Sequence, residues 1–180
     1  MWMEYKIYTI GHSNRKFDEF VRLLKLHRIE LLVDVRRYPR SKFEWFHKDY
    51  LQSHLPKHNI QYECFRVLGA LGLSRDVKAF EDITCTNSPT YRSYITYLLT
   101  SKIAREHVFR LIDFVRGGKI CCIMCCERFP WRCHRNYLSD FLTILGIKVI
   151  HIIDIGRTME HKGTRCFDYI KEKISIYWNI

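Results

Sequence analysis

The sequence predicts an α/β fold: a single three-layer α/β/α domain built on a mostly parallel, Rossmann-like sheet and spanning residues 1–180. Three observations predict it. Short apolar runs alternate with longer segments of helical period, the pattern of strand–helix–strand units. Lys119–Cys126 is apolar at nearly every position, as a strand covered on both faces must be. No repeat, low-complexity tract or Pro/Gly/Ser-rich linker divides the chain.

The elements follow in order. Lys6–Ile10 reads as a first strand, ended by Gly11-His12-Ser13-Asn14. Ser13 or Asn14 is expected to cap the next helix, whose apolar positions are Phe17, Phe20, Val21 and Leu24, with Asp18 and Glu19 near its positive end. Leu31–Arg36 reads as the second strand. Beyond the basic loop Arg37–Lys42, a helix is expected near His47–Lys57 and a strand near Gln61–Arg66. Leu68–Pro89 has no clear period. Two helices follow near Tyr91–Thr100 and Ile103–Val115, the second stopped by Gly117-Gly118. Strand Lys119–Cys126, helix Arg135–Leu145, strand Lys148–Asp154 and helix Cys166–Ile174 complete the chain.

Composition narrows the function. Hydrophobic residues at 47% and aromatics at 14% exclude a disordered or collagen-like chain. No apolar run reaches the roughly 18 residues of a membrane-spanning helix, and the opening segment has no long apolar stretch, so cytoplasm is expected and no membrane partner. Thirty Lys and Arg against 19 Asp and Glu give a formal charge of +11. That balance favours a phosphate-rich partner, either nucleic acid (DNA or RNA) or a phosphate-bearing small molecule. Four of the eight cysteines lie within Cys121–Cys126, unlike a disulfide scaffold, so the thiols are expected to be packed, catalytic or metal-binding rather than bridged.

In a parallel sheet ligands bind beyond the carboxyl ends of the strands, and three polar clusters fall at such ends. In the first, Gly11 permits a tight turn, the amides after it suit an anion, and His12 or Arg15 adds charge or a proton relay beside Ser13 and Asn14. In the second, Asp34 and Arg36 lie two apart and share one strand face, where two charges must pair or work. The loop beyond them interleaves cations with aromatics: Arg37, Tyr38, Arg40, Lys42 and Trp45, a pattern suited to phosphates and stacked bases.

The third cluster, Cys125-Cys126-Glu127-Arg128-Phe129-Pro130-Trp131-Arg132-Cys133-His134-Arg135, lies between a buried strand and a helix. Glu127 is its one carboxylate, with general acid or base work as its natural role. Cys133, His134 and Arg135 open the helix, where the dipole favours an anion or a thiolate. Cys122 and Cys125, three apart on a strand, should face opposite sides and not converge on a metal. Cys125, Cys133 and His134 are able to meet across the loop, which leaves zinc as an alternative to the expectation of no cofactor and no metal. Cys126 and Arg132 have the Cys-x5-Arg spacing of a phosphatase loop, but Phe129, Pro130 and Trp131 fill its middle and proline removes an amide donor.

Taken together, Thr9 to Arg15, Val33-Asp34-Val35-Arg36 with Pro39 and Ser41, Leu68-Gly69, Tyr91 to Tyr94, and Met124-Cys125-Cys126-Glu127 leading to Cys133-His134-Arg135 resemble the family named domain of unknown function 488. One departure is Ala70, where that family usually has a second glycine. The resemblance implies an α/β fold and a site built from the Gly-His-Ser, Asp-x-Arg and Cys-x-Glu…Cys-His-Arg motifs. It implies no activity.

The sequence thus leads to a hydrolase acting on nucleic acid or a nucleotide, at a phosphodiester or at the glycosidic bond of a damaged base. Glu127, Asp34, His12 and Cys125 are the catalytic candidates. Gly11, Ser13, Asn14, Arg15, Arg36, Cys133, His134 and Arg135 are the anion-binding ones. Arg37, Tyr38, Arg40, Lys42, Trp45 and Trp131 are expected to contact nucleic acid. A non-catalytic nucleic-acid-binding protein and a thiol-dependent enzyme are the rival readings.

Overall fold

Apolar strands that alternate with amphipathic helices must bury both sheet faces, and the chain does so. The computed structural model describes residues 4–180. Its strands are β1 (Lys6–Gly11), β2 (Leu31–Asp34), β3 (Gln61–Cys64), β4 (Cys121–Cys125), β5 (Lys148–Asp154) and β6 (Arg157–Glu160). They form one sheet in the order β3-β2-β4-β1-β5-β6, parallel except for β6, which pairs antiparallel with β5. β6 was not expected from sequence. All four of its residues are exposed, so Arg157–Glu160 carries no apolar alternation to reveal a strand.

Among the described residues seven α-helices surround the sheet: α1 (Phe17–Leu26), α2 (Lys48–His54), α3 (Leu73–Asp76), α4 (Pro89–Thr100), α5 (Lys102–Arg116), α6 (Arg135–Ile144) and α7 (Phe167–Trp178). Phe20, Val21, Leu23 and Leu24 of α1 and Leu51 of α2 close over Ile10, Leu32, Cys122, Met124 and Ile152 on one face. Helices α4 to α7 close over Leu31, Val33, Cys121, Ile123, Cys125 and Val149 on the other. Cys122 and Cys125 therefore lie on opposite faces, as their spacing requires. Among the described residues, no helix is long and apolar enough to cross a membrane.

Two local expectations need correcting. Neither Ser13 nor Asn14 caps α1: its N-cap is Lys16, without a side-chain bond, and Ser13 takes a left-handed φ of 52° inside the preceding turn. The cysteines are not all unbridged, because Cys85 and Cys166, 81 residues apart in sequence, form a disulfide. It ties the irregular segment before α4 to the start of α7. That segment, opaque to periodicity, contains the single short helix α3, packs Leu73 and Ile83 into the core, and is tied down further by this covalent link.

Candidate functional site

The strand order creates a crevice. β1 and β4 are neighbours, but the chain leaves β1 for α1 on one face and leaves β4 for α6 on the other. Side chains at their carboxyl ends, and at that of β2 on the far side of β4, converge there. Contact between the two strand ends is close. A Cβ on Gly11 would sit 1.7 Å from the Glu127 carbonyl oxygen, so no residue larger than glycine fits. Backbone N–H groups of His12 and Ser13 donate to the carbonyls of Cys125 and Cys126 at 2.9 and 2.8 Å, extending the pairing past the strands. Gly69 likewise lies against the Arg37 backbone, with Cβ space closed at 2.2 Å, so close approach persists despite Ala70.

At the β2 end, Asp34 and Arg36 pair with each other inside the protein. Arg36 donates through Nε (2.9 Å) and Nη2 (2.6 Å) to the two Asp34 oxygens. Tyr62 on β3 adds its hydroxyl to the same carboxylate at 2.8 Å. Burial alone would lower the Arg36 pKa, but the bonds to Asp34 more than offset that and raise it. Arg36 also donates through Nη2 to the Phe46 carbonyl at 2.8 Å, and its Nη1 lies 3.3 Å from His12 Nε2. The His12 ring stacks on Phe46 with centroids 4.2 Å apart, and Nδ1 donates to the Ser13 carbonyl at 2.8 Å. That bond leaves Nε2 facing the Arg36 guanidinium.

The other two expected anion-binding arginines are also spent internally. Arg15, 3% exposed, donates to the carbonyls of Gly11 and Ile153. Arg135, fully buried, donates to the carbonyls of Glu127 (2.5 Å) and Arg128 (3.0 Å), which fixes the loop after β4. Both bear on shape: they are struts that hold strand ends, not open receptors. Asn14 is exposed and Ser13 half-buried, at the rim.

Beside these struts the thiols gather. Cys125 and Cys133 are buried and His134 nearly so, at 9% exposure. His134 Nδ1 lies 3.6 Å from Cys125 Sγ and 3.8 Å from Cys133 Sγ. Burial pushes the Cys133 thiol up, but Cys125, His134 and Arg135 together hold it well below the usual thiol range. Cys126, half-buried, is drawn down to about 4, first by a hydrogen bond from Cys125, against burial, and then by His12 and Arg36. Cys125 correspondingly keeps its proton, being donor to both neighbours. Tyr91 overlooks this group. Burial is the main cause that pushes its hydroxyl up to about 12, and Cys133, Tyr137, Cys125 and Glu127 add to it.

Glu127 itself is exposed at the crevice, its backbone fixed by Arg135 and its carboxylate turned to solvent. Arg132, the other half of the Cys-x5-Arg pattern, is also exposed in the short 3-10 turn Pro130–Arg132 and makes no hydrogen bond to the thiol. Of the expected nucleic-acid contacts, Tyr38 (52%) and Trp131 (53%) are open, as are Arg40 and Lys42. Arg37 is paired with Asp76, and Trp45 donates its indole N–H to the Arg15 carbonyl at 2.9 Å. Tyr38, Arg40, His47, Lys48 and Arg66 line a cleft of about 520 Å³. A second, of about 400 Å³, is lined by Asn87, Trp131, Asn136, Tyr137 and Arg165.

Sequence reasoning missed a buried polar chain behind the crevice. Arg135 Nε donates to Thr9 Oγ1 (3.3 Å), and the Thr9 hydroxyl bonds to His151 Nδ1 (2.7 Å). His151 Nε2 meets His161 Nδ1 (3.1 Å), and His161 Nε2 donates to Asp140 (2.8 Å). Donors and acceptors can all run one way, from the guanidinium to the carboxylate. Burial and the neighbouring His161 charge push His151 down to about 3. These residues come from β1, β5, the segment after β6, and α6, so no local spacing signals them.

No curated protein matches the chain, and no solved structure does. The family model described as "Domain of unknown function DUF488" does match, over residues 16–142, a span that takes in the Asp34–Arg36 pair, the basic loop and the whole Cys125–Arg135 loop; the chain belongs to that family.

Proposed function

We propose that the protein is a hydrolase acting on nucleic acid or a nucleotide, with its reaction at the β1/β4 crevice. The observation that carries this reading is the cleft in which the open ring of Tyr38 lies with Arg40, His47, Lys48, Asp49 and Arg66, beyond the carboxyl end of β2 as Glu127 lies beyond that of β4. Cations there meet phosphates and the exposed ring offers a stacking face. The Trp131 cleft supplies a second aromatic wall with amide groups from Asn87 and Asn136, chemistry that recognises a base edge.

Within this reading Glu127 is the proton acceptor for an attacking water, the role open to a solvent-facing carboxylate whose backbone is held rigidly by Arg135. The Asp34–Arg36 pair and His12 fix the crevice walls rather than grip the ligand, since their polar atoms already serve one another.

The test combines two variants. Oligonucleotide turnover should fall at least about a hundredfold in Glu127→Gln while binding is retained. Arg40→Ala should weaken binding and reduce its salt dependence. Unchanged turnover in Glu127→Gln would overturn the hydrolytic role. Salt-sensitive binding with no product from any oligonucleotide would leave a binding protein. Inactivation by alkylation of Cys126, with Glu127→Gln fully active, would move the chemistry to the thiols.

A further inference from the structure

The geometry points to a metal-ion site at Cys125, Cys133 and His134, with a chemical preference for zinc and a fourth position open to water. This assignment stands on the side chains alone and does not depend on the hydrolytic reading.

Three features support it. The first is convergence: the three ligand atoms, from the end of β4 and the entry to α6, all lie within 4.8 Å of one another. Tetrahedral zinc with Zn–S of about 2.3 Å and Zn–N of about 2.0–2.1 Å requires an S···N edge of about 3.6 Å. The observed separations from His134 Nδ1 are 3.6 Å to Cys125 Sγ and 3.8 Å to Cys133 Sγ. Only a small adjustment separates this arrangement from a coordination shell.

The second feature is the orientation of the imidazole. His134 Nε2 lies 3.2 Å from the Val35 carbonyl, which can only accept, so Nε2 carries the proton. Nδ1 is left with its lone pair aimed at the two sulfurs. A ligand histidine whose other ring nitrogen is anchored to a backbone carbonyl is the usual way proteins fix such a ring. Tyr94 packs edge-on against the ring, with centroids 5.1 Å apart, and blocks its rotation.

The third is charge and ligand type. Two thiolates and one neutral imidazole form an electrically neutral unit with a divalent cation, which is how ligands as buried as Cys125, Cys133 and His134 tolerate both charges. Thiolate and imidazole together favour zinc over the hard cations, which prefer oxygen. No fourth His, Cys, Asp or Glu joins the group among the described residues. Three protein ligands with one open position is the form taken by sites that activate a water rather than only brace a fold. Zinc would displace the thiol protons to solvent on binding, with no change of oxidation state.

The experiment is metal analysis of the intact protein, purified with reductant and extensively desalted. We expect about one zinc per chain. Replacing zinc by cobalt(II) should give the intense visible bands of a four-coordinate ion together with thiolate-to-cobalt charge transfer. Cys133→Ser and His134→Ala should lower the retained zinc at least about tenfold. Cys64→Ser, at a thiol outside the cluster, should retain it in full. Circular dichroism on each variant separates lost metal from a lost fold, and cobalt titration of the reduced wild-type chain keeps the test decisive if a variant fails to fold. Substoichiometric zinc removed by desalting, or a cobalt spectrum without thiolate charge transfer, would each overturn the assignment.

Discussion

The carbonyl oxygen of Glu127 occupies the space where a side chain on Gly11 would have to begin. This contact locks the end of β1 to the loop after β4 and brings His12 and Cys126 to one crevice. Gly11→Ala must push the two backbones apart. It should cost about 3 kcal/mol or prevent folding, measurable as a lower urea midpoint. A fully stable variant would show that the two strand ends do not need this contact.

The Asp34–Arg36 pair is buried at 0% and 3% exposure. Arg36→Met leaves an uncompensated carboxylate and should destabilise by about 3–5 kcal/mol. Asp34→Asn with Arg36→Met should cost less than the two single changes summed, because no charge then remains unpaired. A double-mutant cycle with zero coupling would contradict the paired geometry.

The buried polar chain makes a prediction about pH. His151 is held down to about 3 in the folded protein, against an ordinary value near 6.5 in the unfolded chain. Between those values the unfolded chain binds a proton that the folded one does not. Stability from this group is therefore complete above about pH 6.5 and is lost as pH falls toward 3. The slope approaches about 1.4 kcal/mol per pH unit for one proton. Urea midpoints from pH 7 down to 4.5 should fall more steeply for wild type than for His151→Gln. Equal slopes would remove His151 from the acid response.

The Cys85–Cys166 bridge closes a loop of 81 residues. Reduction, or the Cys85→Ala and Cys166→Ala pair, should cost about 2–4 kcal/mol, chiefly by freeing the unfolded chain. The expected readout is a lower melting temperature under reductant for wild type and none of that sensitivity in the double variant.

These contacts separate what sequence carries from what it does not. Lys148–Asp154 is read to the residue and the other buried strands nearly so, because strands covered on both faces are short runs rich in apolar residues. The divergence of Cys122 from Cys125 follows from the two-residue strand period alone; the same period puts Asp34 and Arg36 on one face without deciding whether they pair or work. The meeting of Cys125, Cys133 and His134 is legible only as an option, since it needs the loop to turn through Pro130–Arg132. The commitment of Arg15, Arg36 and Arg135 to backbone carbonyls and Asp34 is invisible beforehand. A guanidinium reads the same in a sequence whether it faces an anion or braces a turn. Thr9, Asp140, His151 and His161 join across four separate segments, and only the assembled fold brings them together.

One titration tests the central claim most directly. Single- and double-stranded DNA and RNA oligonucleotides, intact and base-damaged, are added at two salt concentrations while tryptophan fluorescence is followed. The same samples are resolved on a gel for strand cleavage, with and without alkali to reveal abasic sites. The account predicts salt-sensitive binding, a change in Trp131 emission absent from Trp131→Phe, and a product that Glu127→Gln does not form. No binding to any of them at low salt would contradict it.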